Sequence, residues 1–184
     1  MTRRFTSEPL AAGLVDELVE LARHAPSAGY SQGVHLLVLE GESLARFWRT
    51  TEGDGWFEPE ILAAPTMVIA LADPDTYTSR YAESDKEGHG LEDAANWPVP
   101  FWITDAAMAV QNLLLLAESR GLGALYFGLF NNARLALDEM GVPAHVLHLG
   151  AVLLGHRASD DRQSGSAATR TRRPTTEVVH RSHW

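Results

Sequence analysis

Residues 104–121 read TDAAMAVQNLLLLAESRG. The helix this stretch would form carries apolar side chains on nearly every side, with Leu113, Leu114, Leu115 and Leu116 as its centre. Such a helix has no solvent face of its own and belongs at the middle of a structure. Gly121 closes it, as a glycine able to adopt the left-handed C-terminal conformation should.

Outward from this helix, the pattern alternates. On the C-terminal side, ALYFGLF (124–130) reads as a strand and 132–140 as a helix ending at Gly141-Val142-Pro143. VLHLGAVLLG (146–155) follows as a last core strand. On the N-terminal side, Pro9 opens a helix in which Leu10, Leu14, Leu18, Leu21 and Ala22 recur at three- and four-residue steps. That helix stops at Ala25-Pro26, because the residue before proline disfavours the helical region. VHLLVLE (34–40) and TMVIALA (66–72) read as buried strands, with short helices near 43–50 and 57–62 between them. The stretch from Pro74 to Pro100 reads as irregular, polar first and aromatic afterwards, and a long irregular stretch suits a lid or binding loop. Four buried strands among helices in 184 residues predict one α/β or α+β domain.

Composition narrows the function. There is no cysteine, which removes disulfides, thiol catalysis and cysteine-based metal sites, and suits a cytoplasmic protein. MTRRFTSEP has no apolar core like that of a signal peptide, and no apolar run is long enough to span a bilayer. A formal charge of −9 argues against a nucleic-acid coat. Residues 157–184 nevertheless hold Arg157, Arg162, Arg170, Arg172, Arg173 and Arg181 against Asp160, Asp161 and Glu177. A localised anionic partner and a solvated tail both account for that excess, and composition alone favours the tail.

Several motifs fail on context. Gly121-Leu122-Gly123 follows a helix and precedes a strand, the reverse of the dinucleotide fingerprint. His145/His148 and His180/His183 have no HExxH and no carboxylate at matching spacing, so no metal site is expected. There is no GxSxG, and no side chain is assigned as a catalytic acid, base or nucleophile.

Three segments, in order along the chain, resemble the FMN-dependent nitroreductases. Arg3-Arg4-Phe5-Thr6 with Glu8-Pro9 is similar to the end of that family's N-terminal signature. Ala25-Pro26-Ser27-Ala28-Gly29-Tyr30-Ser31-Gln32 is similar to its APSxxNSQPW loop. The third segment is Asp105…Gln111-Asn112-Leu113, then Gly121-Leu122-Gly123, Gly141-Val142-Pro143, Leu149-Gly150, Gly155-His156 and Arg170-Thr171-Arg172-Arg173-Pro174.

The resemblance implies an α+β, three-layer fold around a mixed, mostly antiparallel sheet, in an intertwined homodimer with FMN at the interface. It implies one domain over 1–184, with 80–102 as a lid or insert. Residues 157–184 would be a tail, Val178, Val179 and Trp184 included, that crosses to the partner. Pro26, Ser27, Ala28 and Gln32 would lie against the flavin of the partner subunit. Arg3 would sit near its pyrimidine or ribityl chain, Arg170 and Arg172 on the phosphate, joined there by Arg3 and Arg4 if the family's upstream residues are absent, and Phe127-Gly128 near its N5. Tyr30 stands where the family usually has Asn, and with Trp97, Phe101 and Trp102 it is a candidate wall of the substrate pocket. The family's earlier Arg and Ser would fall at or before Met1. The implied activity is ping-pong reduction of nitroaromatic or quinone-like acceptors by NADH or NADPH. The alternative is a flavin-binding or flavin-handling protein with little reductase activity. No membrane or nucleic-acid partner is expected.

Overall fold

A computed structural model describes residues 1–51, 55–162 and 164–184. Its centre is a four-stranded sheet of β1 (Val34–Glu40), β2 (Thr66–Ala72), β3 (Gly123–Phe127) and β4 (Leu147–Gly155) in the order β1-β2-β4-β3. The pairings β1·β2, β2·β4 and β3·β4 are all antiparallel. β2 is buried at every position, which explains why TMVIALA shows no alternation.

Strand alternation divides the core into two layers. Leu39, Met67, Ile69, Leu71, Leu125, Ala151 and Leu153 face one side, where Leu44 and Phe47 of α2 (Gly41–Thr51) cover them. Ile61 of α3 (Pro59–Leu62) and Leu137 of α6 (Ala133–Glu139) complete that layer. Val68, Ala70, Val152 and Leu154 face the other side, against α1 (Leu14–Ala22) and α5 (Phe101–Ser119). Helix, sheet and helix layers make the α+β architecture expected from the sequence.

Some boundaries differ from expectation, each for a local reason. α1 begins at Leu14 rather than after Pro9, because Gly13 before it is left-handed at φ 76°. α5 starts at Phe101, one residue past Pro100, and so takes in the aromatic pair Phe101-Trp102. β3 ends at Phe127, and Gly128 opens a turn instead of continuing the strand to 130. A helix absent from the sequence reading, α4 (Pro74–Tyr81), follows β2 directly. Asp73 caps it by accepting from the Asp75 N–H at 3.0 Å, and Pro74 fills the first helical position, where its missing N–H costs nothing.

The chain ends are tied to each other. Phe5 bridges Arg157, and Arg4 C=O accepts from Ala158 N–H at 2.9 Å. Beyond 163 every described residue is exposed, the short α7 (Ser166–Thr169) included. Val178, Val179 and Trp184 are exposed on that tail, and Trp184 stacks on His180.

Candidate functional site

Two candidate ligand-facing regions emerge, one on each side of the sheet. The first is the loop 25–33. Gly29, Tyr30 and Gln32 are all left-handed, with φ of 60°, 59° and 59°. For Tyr30 and Gln32 that conformation costs on the order of 1–3 kcal/mol each and persists only where surroundings enforce it. The enforcement is visible. Ser27 Oγ accepts from Gln32 N–H at 3.1 Å, Ser27 C=O from Tyr30 N–H at 2.9 Å, and Ala28 C=O from Ser31 Oγ at 2.7 Å. From outside the loop, Arg80 Nε donates to Gly29 C=O at 3.0 Å, and Ala28 N–H donates to Asp105 Oδ2 at 2.8 Å.

Asp105 is 1% exposed, and its Oδ2 also accepts from the Tyr77 hydroxyl at 2.9 Å. Burial, then the Asp105 carboxylate, pushes the Tyr77 phenol well above its usual range, so it stays a donor. Beside the loop lies a cavity of about 200 Å³ bordered by Arg23, His24, Ser27, Tyr30, Gln32 and Ala109.

The second region is the turn after β3. Phe127, Gly128, Leu129, Phe130 and Asn131 join Phe47, Trp48, Thr51, Trp56 and Phe57 around an apolar cavity of about 270 Å³. Trp48 stacks on Phe127 with ring centres 6.1 Å apart, and Phe57 meets Phe127 edge-on at 5.0 Å. At Gly128 a Cβ would lie 2.8 Å from the exposed Phe130 ring, so a side chain there would displace that ring. Gly150, opposite on β4, has φ 137°, and its Cβ would stand 2.4 Å from Phe127 C=O.

The expected residues divide between these regions. Pro26, Ser27, Ala28, Gln32 and Tyr30 belong to the loop, with Tyr30 76% exposed; Phe127 and Gly128 belong to the turn. Of the terminal cations, Arg4 is committed to Glu60 at 2.9 Å and Asp160 at 3.1 Å. Arg3, Arg170 and Arg172 form no ion pair among the described residues, and both tail arginines are exposed. Trp97 and Trp102 are buried with Tyr77, Ala72 and Ala106, while Phe101 keeps an exposed face. The sequence reading missed Trp48, Trp56, Phe57 and Phe130; their only signal was aromatic density in FWRTTEGDGWF and YFGLF.

His145 and His148, the close pair for which no metal site is expected, have different surroundings. His145 lies 3.7 Å from Asp73, and with Asp75 the three place ligand atoms within 4.8 Å of one another. Asp73 already caps α4 and accepts from Thr76 Oγ1 at 2.7 Å. His148 sits half-buried on β4, where burial and then Arg134 lower its pKa.

Comparison with known proteins decides the family. The model of the Nitroreductase family matches residues 1–60 and 51–156, which is most of the chain. The chain belongs to the nitroreductase family. An FMN reductase (NADPH) from Bacillus subtilis strain 168 is 29% identical over 160 residues, 85% of this chain; the chain spans only 62% of that relative's length. A nitroreductase family protein from Clostridium difficile 630, 17% identical, shares the fold at a TM-score of 0.71 over 100% of this chain and 93% of its own. An FMN-dependent nitroreductase from Clostridium difficile R20291, 16% identical, does so at 0.69, over 100% and 94%. The nitroreductase match stops at residue 156, so it leaves out the arginine-bearing tail.

Proposed function

We propose that this nitroreductase binds FMN and works as a cytoplasmic oxidoreductase using NADH or NADPH. One observation carries the reading: the two ligand-facing regions lie on opposite faces of one sheet. Phe127 packs into the layer of α2 and α6, whereas Ala28 packs beside Tyr77, Trp102 and Ala106 on the other side. A single protomer therefore holds two half-sites. The turn cavity, at about 270 Å³, falls short of the roughly 300–1,000 Å³ of a complete small-molecule pocket. In a homodimer, the loop of one copy would close the cavity of the other.

The residues present fit the flavin. The cavity walls are flat and aromatic, suited to a planar ring, and Gly128 lets backbone approach closely. Arg3, Arg170 and Arg172 are among the cations without an ion pair among the described residues, and arginine forks suit a phosphate. Arg4 contributes by fixing the N-terminal segment through Glu60 and Asp160. Bound there, FMN would take a hydride from the nicotinamide and pass electrons to a nitroaromatic or quinone-like acceptor in the same slot. The chain's own part is to bind, orient and exclude water. Ser27, Ala28 and Gln32 present a rigid backbone, and the aromatic cage keeps the opposite side dry. Tyr30 and Phe101 are the exposed rings that would border the acceptor, with residues 80–102 as the neighbouring cover.

The tail fits the dimer. Residues 164–184 are all exposed, and their Val178, Val179 and Trp184 suit a partner surface. Leu115 at 60% and Met108 at 38% exposure on α5 are apolar positions that a second copy would cover.

The test is to titrate purified protein with FMN, follow its visible band, then mix with NADH or NADPH. Uptake of flavin by a dimer and rapid bleaching by reductant are expected. A bound flavin that no nicotinamide bleaches would favour the flavin-handling alternative. A monomer that takes up no colour would overturn both.

A further inference from the structure

We infer that Asp105 is a positioning residue for the loop 25–33, acting through the Ala28 N–H with Tyr77 as its buttress. The inference rests on the reading above that this loop faces FMN. Asp105 lies on α5, 1% exposed, with no cation paired to it among the described residues. Its oxygens are nonetheless satisfied: Oδ2 by Ala28 N–H at 2.8 Å and Tyr77 O–H at 2.9 Å, Oδ1 by Thr104 Oγ1 at 3.3 Å. A buried carboxylate is costly unless donors surround it. Here one of those donors is the backbone of the segment that carries three left-handed residues.

The arrangement around it has the form of a brace. α4 supplies three side chains to this brace. Tyr77 holds Asp105, Arg80 holds Gly29 C=O at 3.0 Å, and the Tyr81 ring lies where a Cβ on Gly29 would come within 2.7 Å. Gly33 is equally confined, its notional Cβ 2.6 Å from the Tyr77 ring. Hydrogen bonds inside the loop close its turns, and Asp73 N–H donates to Gly33 C=O at 2.8 Å at its end, but among the described residues Asp105 and Arg80 are the side chains that fasten it to the body through hydrogen bonds. Of the two, Asp105 is the one shielded from water. Its carboxylate therefore sets where Ser27 and Ala28 stand, without touching the ligand itself.

The test pairs two variants. Asp105→Leu with Tyr77→Phe replaces both buried polar partners by apolar groups of similar shape, a change that cores tolerate well. Asp105→Asn keeps an acceptor for Ala28. Hydrogen exchange of the apo proteins and FMN titration are the two readouts. In the double variant, the amides of 25–33 should exchange about tenfold faster while β2 and β4 keep their protection, and the FMN Kd should rise about tenfold. Asp105→Asn should restore both to within about threefold. Unchanged exchange in the loop, or faster exchange of loop and sheet together, would overturn the inference. So would a loosened loop with an unchanged Kd. If the wild-type protein binds no FMN, the functional reading fails by itself. Hydrogen exchange then shows whether Asp105 holds the loop, and without a flavin its assignment to a ligand falls.

Discussion

The loop 25–33 and the turn 127–131 would serve one ligand, yet they are built by opposite means. The loop is held by hydrogen bonds in which Asp105 and Ser27 accept from its backbone and Arg80 and Ser31 donate to it, and that backbone is left-handed at Gly29, Tyr30 and Gln32. The turn is held by ring packing among Trp48, Phe57 and Phe127, and by glycines at 128 and 150 that let chains approach closely. Hydrogen bonds fix direction, so the polar region can set the orientation of backbone groups. Apolar packing fixes shape and excludes water, so the aromatic region can set a flat, dry wall. A redox site for a planar cofactor needs both, and within one protomer the sheet keeps them apart.

The comparison breaks most strongly at Gly150. Its backbone is at φ 137°, and an added Cβ would stand 2.4 Å from Phe127 C=O and 3.0 Å from the Tyr126 ring. Backbone cannot yield as a flexible side chain can. Gly150→Ala should therefore cost about 3 kcal/mol or more and displace Phe127-Gly128. Chemical denaturation should show the loss, and exchange at Phe127 should rise before exchange in the loop does. A variant as stable as wild type would mean that β4 tolerates the side chain and that Gly150 does not set the turn.

The two regions also differ in how far the sequence reveals them. The loop announces itself in one contiguous run, because prolines, serines and glycines mark backbone that leaves the regular regions. The strands were legible for a similar reason: β-branched apolar runs such as TMVIALA have few other uses. The aromatic cavity was not legible, since Trp48, Phe57 and Phe127 come from α2, the approach to α3 and the end of β3. Their meeting depends on the sheet order. Trp97 and Trp102 show the converse: as residues, they read equally well as pocket walls or as core, and the fold placed them in the core. α4 was overlooked because Asp73-Pro74 ends a strand and opens a helix with the same two residues. Asp105 was noticed only as part of a resemblance, and nothing local in TDAAM shows that its carboxylate reaches Ala28.

On the loop side, Gly33→Ala is the matching disturbance. Its Cβ would meet the Tyr77 ring at 2.6 Å and Asp73 C=O at 2.9 Å, without any backbone strain of its own. A loss of about 1–3 kcal/mol is expected, smaller than at Gly150 because the backbone contact is longer and Gly33 itself unstrained, so that most of the displacement falls on the Tyr77 ring, which shifts. That shift would pull Tyr77 away from Asp105, so the loop should loosen while the aromatic cavity stays intact. Quenching of the cavity tryptophans by an apolar dye should be unaltered, and exchange in 25–33 should rise. A change confined to the cavity would contradict the separation of the two regions.

The finest distinction concerns Gln32, whose left-handed backbone is strained and whose side chain is exposed. Replacing it by glycine relieves the strain but raises the entropy of the unfolded chain, and the two effects nearly offset. Gln32→Gly should leave stability within about 1 kcal/mol of wild type, because its N–H still reaches Ser27 Oγ. FMN affinity should nonetheless fall, since glycine loosens the rigid backbone that Gln32 is proposed to present to the flavin. Thermal melting of the apo protein alongside FMN titration separates the two quantities. A melting temperature several degrees lower, with affinity unchanged, would mean that the strained position serves the fold and that the loop's left-handed residues were not retained for the ligand.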